Sequence, residues 1–155
     1  MVEKRNILFL DIDGVLNNQD AFRKKDLDPI DEDNVIQLNR IIDATDCKIV
    51  ISSVWRRCNT VGSLRSMLEL KHGVRKDSII DFTPIFNRLA PRGHEIEAWL
   101  EKNDRPHFVI LDDDNDMLLY QEREHFVQTS FKKGLTKELA DKAIEILNKN
   151  TNANS

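Results

Sequence analysis

The chain has 155 residues, the length of one domain, and at that size a folded chain buries about 68–70% of the surface it exposes when unfolded. Hydrophobic residues at 40% and charged residues at 32% exclude a disordered composition and a membrane-spanning one. Two cysteines exclude a disulfide scaffold, and a net charge of −4 argues against a protein that coats nucleic acid in bulk.

In chain order, Ile7-Leu8-Phe9-Leu10 has the length and continuous apolarity of a strand buried on both faces. Nothing before it resembles the apolar core of a signal peptide, so a cytoplasmic protein is expected. Pro29 and Asp31 precede Val35, Leu38, Ile41 and Ile42, which is a helix start followed by one apolar stripe. Lys48-Ile49-Val50-Ile51 predicts a second buried strand ending at Ser52-Ser53, with Cys47 a small core residue before it. Cys58 is read as a free thiol. Val61, Leu64 and Leu68 predict a helix closed by Gly73. Ser78–Phe82 predicts a weaker strand stopped by Pro84. Ile96, Trp99 and Leu100 predict a helix over 93–102, with Trp99 in the core. His107–Leu111 predicts a strand ending in an Asp cluster, and Phe126–Thr129 another. Leu139, Ala143, Ile144 and Leu147 predict a last helix over 135–147. Residues 1–148 are expected to form one domain, and 149–155 a polar tail.

Strands alternating with helices imply βαβ units and a parallel sheet covered on both faces, an α/β fold in three layers. Such sheets bind ligands at the carboxyl ends of their strands. Three strand ends carry polar residues: Asp11-Ile12-Asp13-Gly14, Ser52-Ser53 and Asp112-Asp113-Asp114. Carboxylates brought together after buried strands repel, so they take up a proton or bind a cation. Carboxylate oxygens suit Mg²⁺. Asp11 and Asp13 with Asp112 or Asp113 are therefore candidate metal ligands. Asp116 is read as a helix cap or a hydrogen-bond partner of the site. A hydroxyl at Ser52, with Ser53 as its rival, and a cation at Arg92 or Arg88 would complete a phosphate cradle. Trp55 and Arg56 follow directly and are candidate substrate contacts. The four histidines show no metal-ligand spacing.

Ile7 to Leu16 resembles the first motif of the haloacid dehalogenase (HAD) superfamily. Ile49–Ser52 resembles its second motif and Val109–Asp113 its fourth. Arg92 stands before a helix, where the third motif has a Lys or Arg. A closer resemblance is to the HAD-like domain of Swiss Army Knife RNA-repair proteins. It is carried by Ser52-Ser53-Val54-Trp55-Arg56, Pro91-Arg92-Gly93-His94-Glu95-Ile96, Leu111-Asp112-Asp113-Asp114, Phe126–Thr129 and Gly134-Leu135-Thr136. The resemblance implies a HAD-type, Rossmann-like sheet and a two-step phosphoryl transfer. It implies Asp11 as nucleophile and Asp13 as general acid and base. It implies Mg²⁺ held by the Asp11 carboxylate, the Asp13 carbonyl and Asp112 or Asp113, with Ser52 and Arg92 on the phosphate.

HAD folds often carry a cap over the site. The stretches 17–28 and 53–91 are too short for one, so a capless or minimally capped site is expected, open to a large substrate. Segment 53–92 holds eight basic residues (Arg56, Arg57, Arg65, Lys71, Arg75, Lys76, Arg88, Arg92) against three acids, and so fits an anionic one. Arg23-Lys24-Lys25 reads as a solvated loop bordering the expected mouth. The leading expectation is a Mg²⁺-dependent phosphatase acting on a phosphorylated substrate, RNA or DNA ends among the candidates, with no membrane partner. A 5′- or 3′-nucleotidase and a non-catalytic phosphate-binding or partner-docking module are the alternatives.

Overall fold

The structure is a computed structural model describing residues 5–24, 28–87 and 89–152. Strands β1 (Asn6–Leu10), β2 (Lys48–Ile51), β3 (Ile79–Phe82), β4 (His107–Asp112) and β5 (Phe126–Gln128) form one parallel sheet in the order β3-β2-β1-β4-β5. Between β1 and β2 lie α1 (Gln19–Arg23) and α2 (Glu32–Thr45). Between β2 and β3 lie a 3₁₀ turn (Val54–Arg57), α3 (Val61–Arg65) and a π-helical turn (Ser66–Lys71). Helix α4 (Arg92–Lys102) joins β3 to β4, α5 (Leu119–Glu124) joins β4 to β5, and α6 (Lys137–Asn152) follows.

The strands alternate their side chains between two cores, which is why they read as continuously apolar. Leu8, Leu10, Ile49, Ile51, Val109 and Leu111 face Val35, Leu38 and Ile41 of α2, Leu64 of α3, and Ala140, Ala143 and Leu147 of α6. Ile7, Phe9, Val50, Phe108 and Ile110 face Ile96, Trp99 and Leu100 of α4. Phe9 meets Trp99 and Phe108 edge-on, at centroid distances of 5.4 and 5.7 Å. The three layers and the parallel HAD-type sheet are thus as the sequence implies. The chain lays down β1, β2 and β3 outward in one direction, then crosses to β4 on the other side of β1. The reversal between β1 and β4 is the topological switch point, where a ligand crevice is expected.

Local differences from the sequence reading have local causes. The helix expected to run from Val61 to Gly73 is α-helical only to Arg65 and widens into the π turn. There Glu69 accepts from the Asp77 N–H at 2.7 Å. Helices α1 and α5 are too short to leave an apolar period in the sequence. Helix α6 continues past Leu147 to Asn152, beyond the expected start of the polar tail, because Lys and Asn do not end a helix as Gly or Pro does. Between β1 and α2 the described residues hold only α1, and no folded cap occurs among them. No helix among them is long and apolar enough to cross a membrane.

Candidate active site at the carboxyl edge of the sheet

Strand register assembles the site. Leu10 pairs with Ile51 on one side and Leu111 on the other. The parallel ladder then continues beyond the strand ends. Asp11 N–H donates to Leu111 O, Ser52 N–H to Leu10 O and Thr83 N–H to Ile51 O, each at 3.0 Å, and Thr129 N–H donates to Asp112 O at 2.9 Å. Thr83, Ser52, Asp11, Asp112 and Thr129 therefore stand in a row along the carboxyl edge, on every strand of the sheet.

One ligand oxygen from each of Asp11, Asp112 and Asp113 lies within 4.8 Å of the others. Asp11 and Asp112 are buried, Asp113 half-buried. Asp114 is exposed and turns away, accepting from Asn115 N–H, while its own N–H donates to Asp112 Oδ1. That separates Asp112 and Asp113 from Asp114 as candidate ligands. Arg92, the first residue of α4, reaches the same cluster. Its Nη1 donates to Asp11 Oδ1 at 3.1 Å and to Asp112 Oδ2 at 3.3 Å. Asp116 sets this reach by accepting from the Arg92 N–H with Oδ2 and from the Gly93 N–H with its carbonyl. Gly93 lets α4 approach closely, since a Cβ there would lie 2.6 Å from Leu118 N and from Gln121 Oε1. Arg88, the alternate cation, lies outside the described residues.

With all three carboxylates ionised, as ligation of a cation requires, one guanidinium leaves two negative charges uncompensated. Burial pushes the Asp112 carboxyl up to about 9, the Asp11 charge adds to this, and Arg92 opposes it. Asp11 is also raised, by burial first, with Arg92 pulling it back and the Asp113 charge adding to the rise. Burial pulls the Arg92 guanidinium down, but Asp11 and Asp112 together leave it above its ordinary value. An all-oxygen acidic set with that residual charge fits Mg²⁺. Gly14 closes the cluster from below. It adopts φ +81°, and a Cβ there would lie 2.3 Å from Asp113 Oδ2.

Asp13 is oriented separately. Its Oδ1 accepts from Trp55 Nε1 at 3.1 Å and from Asn17 Nδ2 at 3.0 Å, and Asn17 Oδ1 in turn accepts from the Gly14 N–H at 2.8 Å. The Asp13 carboxylate is not part of the three-acid cluster, and its Oδ2 has no hydrogen-bond partner among the described residues. Trp55, expected at the substrate, is half-buried and spends its indole N–H on Asp13. Asn17 was not singled out in the sequence, where nothing distinguishes it from a turn residue. Thr129 Oγ1, donating to Gly14 O at 2.6 Å, ties the end of β5 to the same loop.

Ser52 is fully buried and its Oγ has no hydrogen-bond partner among the described residues. A buried hydroxyl left unpaired is costly unless a ligand supplies the partner. Ser53, its rival, is also buried, and its Oγ accepts from the Trp55 N–H at 3.2 Å as the cap of the 3₁₀ turn.

Arg56, a candidate substrate contact from the sequence, is buried, with its guanidinium engaged inside the fold. Nε donates to Ser53 O, Nη1 to Thr83 and Pro84 O, and Nη2 to Glu95 Oε1 at 3.0 Å. Glu95 Oε2 accepts from the Phe86 N–H at 2.8 Å. Arg56 thus ties the ends of β2 and β3 to the helix that carries Arg92. A basic residue beside a motif gives no sign of this, because its acidic partner lies 39 positions away.

The other bases of 53–92 are also largely engaged. Arg65 pairs with Glu69 and Asp77, Lys71 with Asp28, and Arg75 with Asp43. Arg57 and Lys76 have no ion pair among the described residues. The segment therefore does not form the bare electropositive face its composition suggests.

A parallel sheet of order 3-2-1-4-5, with its acids at the switch point and a cation entering from the helix before β4, defines the HAD class. The family model for the HAD domain in Swiss Army Knife RNA repair proteins matches residues 7–140, and the chain belongs to that family. Membership supports a phosphatase-type HAD function and hence a hydrolase. No curated protein and no solved structure matches the chain.

Proposed function

We propose that the protein is a Mg²⁺-dependent phosphomonoester hydrolase that works through an aspartyl-phosphate and acts on phosphorylated ends of RNA or DNA. The observation that carries the reading is the convergence of Asp11, Asp112, Asp113 and Arg92 at one strand edge, with the unpartnered Ser52 hydroxyl in the neighbouring position.

Arg92 holds Asp11 Oδ1 and leaves its other oxygen to attack phosphorus. The P–O bond to the leaving group breaks as the Asp11–phosphorus bond forms. Asp13, steadied by Trp55 and Asn17, donates a proton to the departing oxygen. It then takes a proton from the water that attacks phosphorus and releases phosphate from Asp11. The Ser52 hydroxyl and the Arg92 guanidinium hold phosphoryl oxygens as charge shifts onto them. Mg²⁺ would be held by the Asp11, Asp112 and Asp113 carboxylates and the Asp13 carbonyl. When bound, it supplies charge neutralisation between an anionic nucleophile and an anionic substrate.

An edge without a cap among the described residues supports a substrate that is part of something large. The family's place in RNA-repair proteins supports a polynucleotide end. The paired bases of 53–92 add little to that reading. Both cysteines are free, in keeping with a reducing, cytoplasmic setting.

The test is hydrolysis of p-nitrophenyl phosphate with and without Mg²⁺, followed by a panel of phosphorylated oligonucleotides and mononucleotides. Turnover that needs Mg²⁺ and is lost in Asp11→Asn is expected, with kcat/KM higher on oligonucleotide ends. Turnover retained in Asp11→Asn refutes the mechanism, and equal rates on mononucleotides refute the substrate class.

A further inference from the structure

One surface feature at the carboxyl edge is not needed for chemistry at phosphorus. Phe22 of α1 and Phe131 of the loop after β5 pack on each other at a centroid distance of 5.4 Å and an interplanar angle of 41°. Despite that contact they remain 41% and 45% exposed. A phenyl pair left half in water costs apolar hydration that burial elsewhere would have removed.

The pair is firmly mounted. Gln19 N–H donates to Phe131 O at 2.9 Å, and Leu135 N–H to Val15 O at 2.8 Å. Gly134, at φ +67°, brings the two loops so close that a Cβ would lie 2.8 Å from Asn17 O and 2.4 Å from Asn34 Oδ1. These contacts join the loop after β5 to the segment that leaves Asp11 and Asp13. β1 and β5 flank β4, so both loops emerge on either side of the end that carries Asp112 and Asp113.

The residues next to each ring are basic and exposed: Arg23 and Lys24 after Phe22, Lys132 and Lys133 after Phe131. Asp20 answers one of the four charges, pairing with Arg23 at 3.5 Å. A trough of about 770 Å³ beside them has Lys24, Lys132, Lys133 and Lys137 in its wall against Asp20, Asp31 and Asp33; of these acids Asp20 pairs with Arg23 and Asp31 caps α2. An aromatic surface between cations suits a ligand with flat apolar faces strung on anions. That is single-stranded nucleic acid, whose bases stack on aromatic rings while basic side chains follow the phosphates.

The geometry points to Phe22 and Phe131 as a stacking platform for the unpaired bases adjoining the phosphorylated end, with Arg23, Lys24, Lys132 and Lys133 along the backbone. The inference deepens the proposed function and rests on it only for the identity of the end. The platform binds strand whether or not the phosphate is cleaved. It excludes blunt duplex, whose bases present no free face.

The test measures binding and turnover separately on the full chain. Binding is read by fluorescence anisotropy with a labelled single-stranded oligonucleotide and with a blunt duplex of the same length. The variants are Phe22→Ala/Phe131→Ala, Phe22→Leu/Phe131→Leu, Phe22→Tyr/Phe131→Tyr and Lys132→Ser/Lys133→Ser. The alanine and leucine pairs should weaken single-strand binding about tenfold or more, and the tyrosine pair should keep it. The lysine pair should flatten its salt dependence. Turnover of p-nitrophenyl phosphate should stay at the wild-type level in all four, which also reports that each folds. Wild-type affinity in the leucine pair overturns stacking. Loss of a dimer in the alanine pair without loss of single-strand affinity overturns the platform in favour of an interface between two copies. Preference for duplex overturns it too. If no phosphomonoester is hydrolysed but the rings still govern single-strand binding, the phosphatase reading fails and the platform stands. Turnover with unchanged binding is the reverse.

Discussion

The acids at the carboxyl edge and the bases of 53–92 are the two concentrations of charge in this sequence, and folding treats them in opposite ways. Asp11, Asp112 and Asp113 come from two strands and converge with one guanidinium among them, so the repulsion is only partly answered. Several of the bases disperse toward acids elsewhere in the chain, Arg56 to Glu95, Lys71 to Asp28 and Arg75 to Asp43, while Arg65 pairs within the segment. A structural charge is compensated within the fold. A charge left uncompensated at a strand edge marks where a ligand is meant to complete the balance. Linear charge counts cannot separate the two, because they do not see partners.

Substitution at each region sharpens this contrast. Asp11→Asn should lower Mg²⁺-dependent turnover by about 10³-fold or more, since removing a nucleophile disables the unit it serves. The metal-free variant should unfold at no lower temperature than the wild type, because a source of repulsion has gone. A clear drop in its unfolding midpoint would mean that the cluster is structural. Arg56→Ala should cost about 3–5 kcal/mol by chemical denaturation, leaving Glu95 as an unpaired buried carboxylate. Its turnover should fall as well, through displacement of α4 and Arg92. Full stability in that variant would return Arg56 to the substrate side.

The third effect is a pH dependence. With its carboxyl at about 9 in the folded chain against an ordinary 3.8, Asp112 keeps a proton in the folded state that the unfolded state has lost. The metal-free protein should thus be most stable toward pH 4 and lose stability as pH rises toward 9, so far as this group governs. Mg²⁺ competes with that proton, so the rise in melting temperature on adding Mg²⁺ should grow with pH. A metal effect that shrinks with pH would contradict the assignment. The smallest effect belongs to Arg75→Ala, which removes an exposed pair with Asp43 and should leave melting temperature and turnover unchanged.

The strand pattern made the sheet and most of its helices legible, because β1, β2 and β4 are apolar on both faces and α2 and α6 carry one stripe each. The edge chemistry was legible for the same reason. In a parallel sheet the residue after the last apolar one stands at the carboxyl edge, so Asp11, Ser52 and Asp112 could be placed from their strands alone. What escaped was set by side-chain contacts between distant segments. Asn17 looks like a turn residue until its amide meets Asp13. The tie of the Trp55 N–H to the same carboxylate spans 42 positions and leaves no local trace. Arg56 looks exposed until Glu95 is found across the ends of β2 and β3.

The most direct measurement is the covalent state of Asp11 during turnover. In Asp13→Asn the general acid and base is gone. With p-nitrophenyl phosphate the leaving phenolate needs no proton, so the first step survives while hydrolysis of the intermediate slows. Acid quenching of that variant with Mg²⁺ and substrate, followed by mass spectrometry, should find one added phosphoryl group, mapped to Asp11. An unmodified Asp11 in a variant that still releases nitrophenolate would contradict the aspartyl-phosphate mechanism.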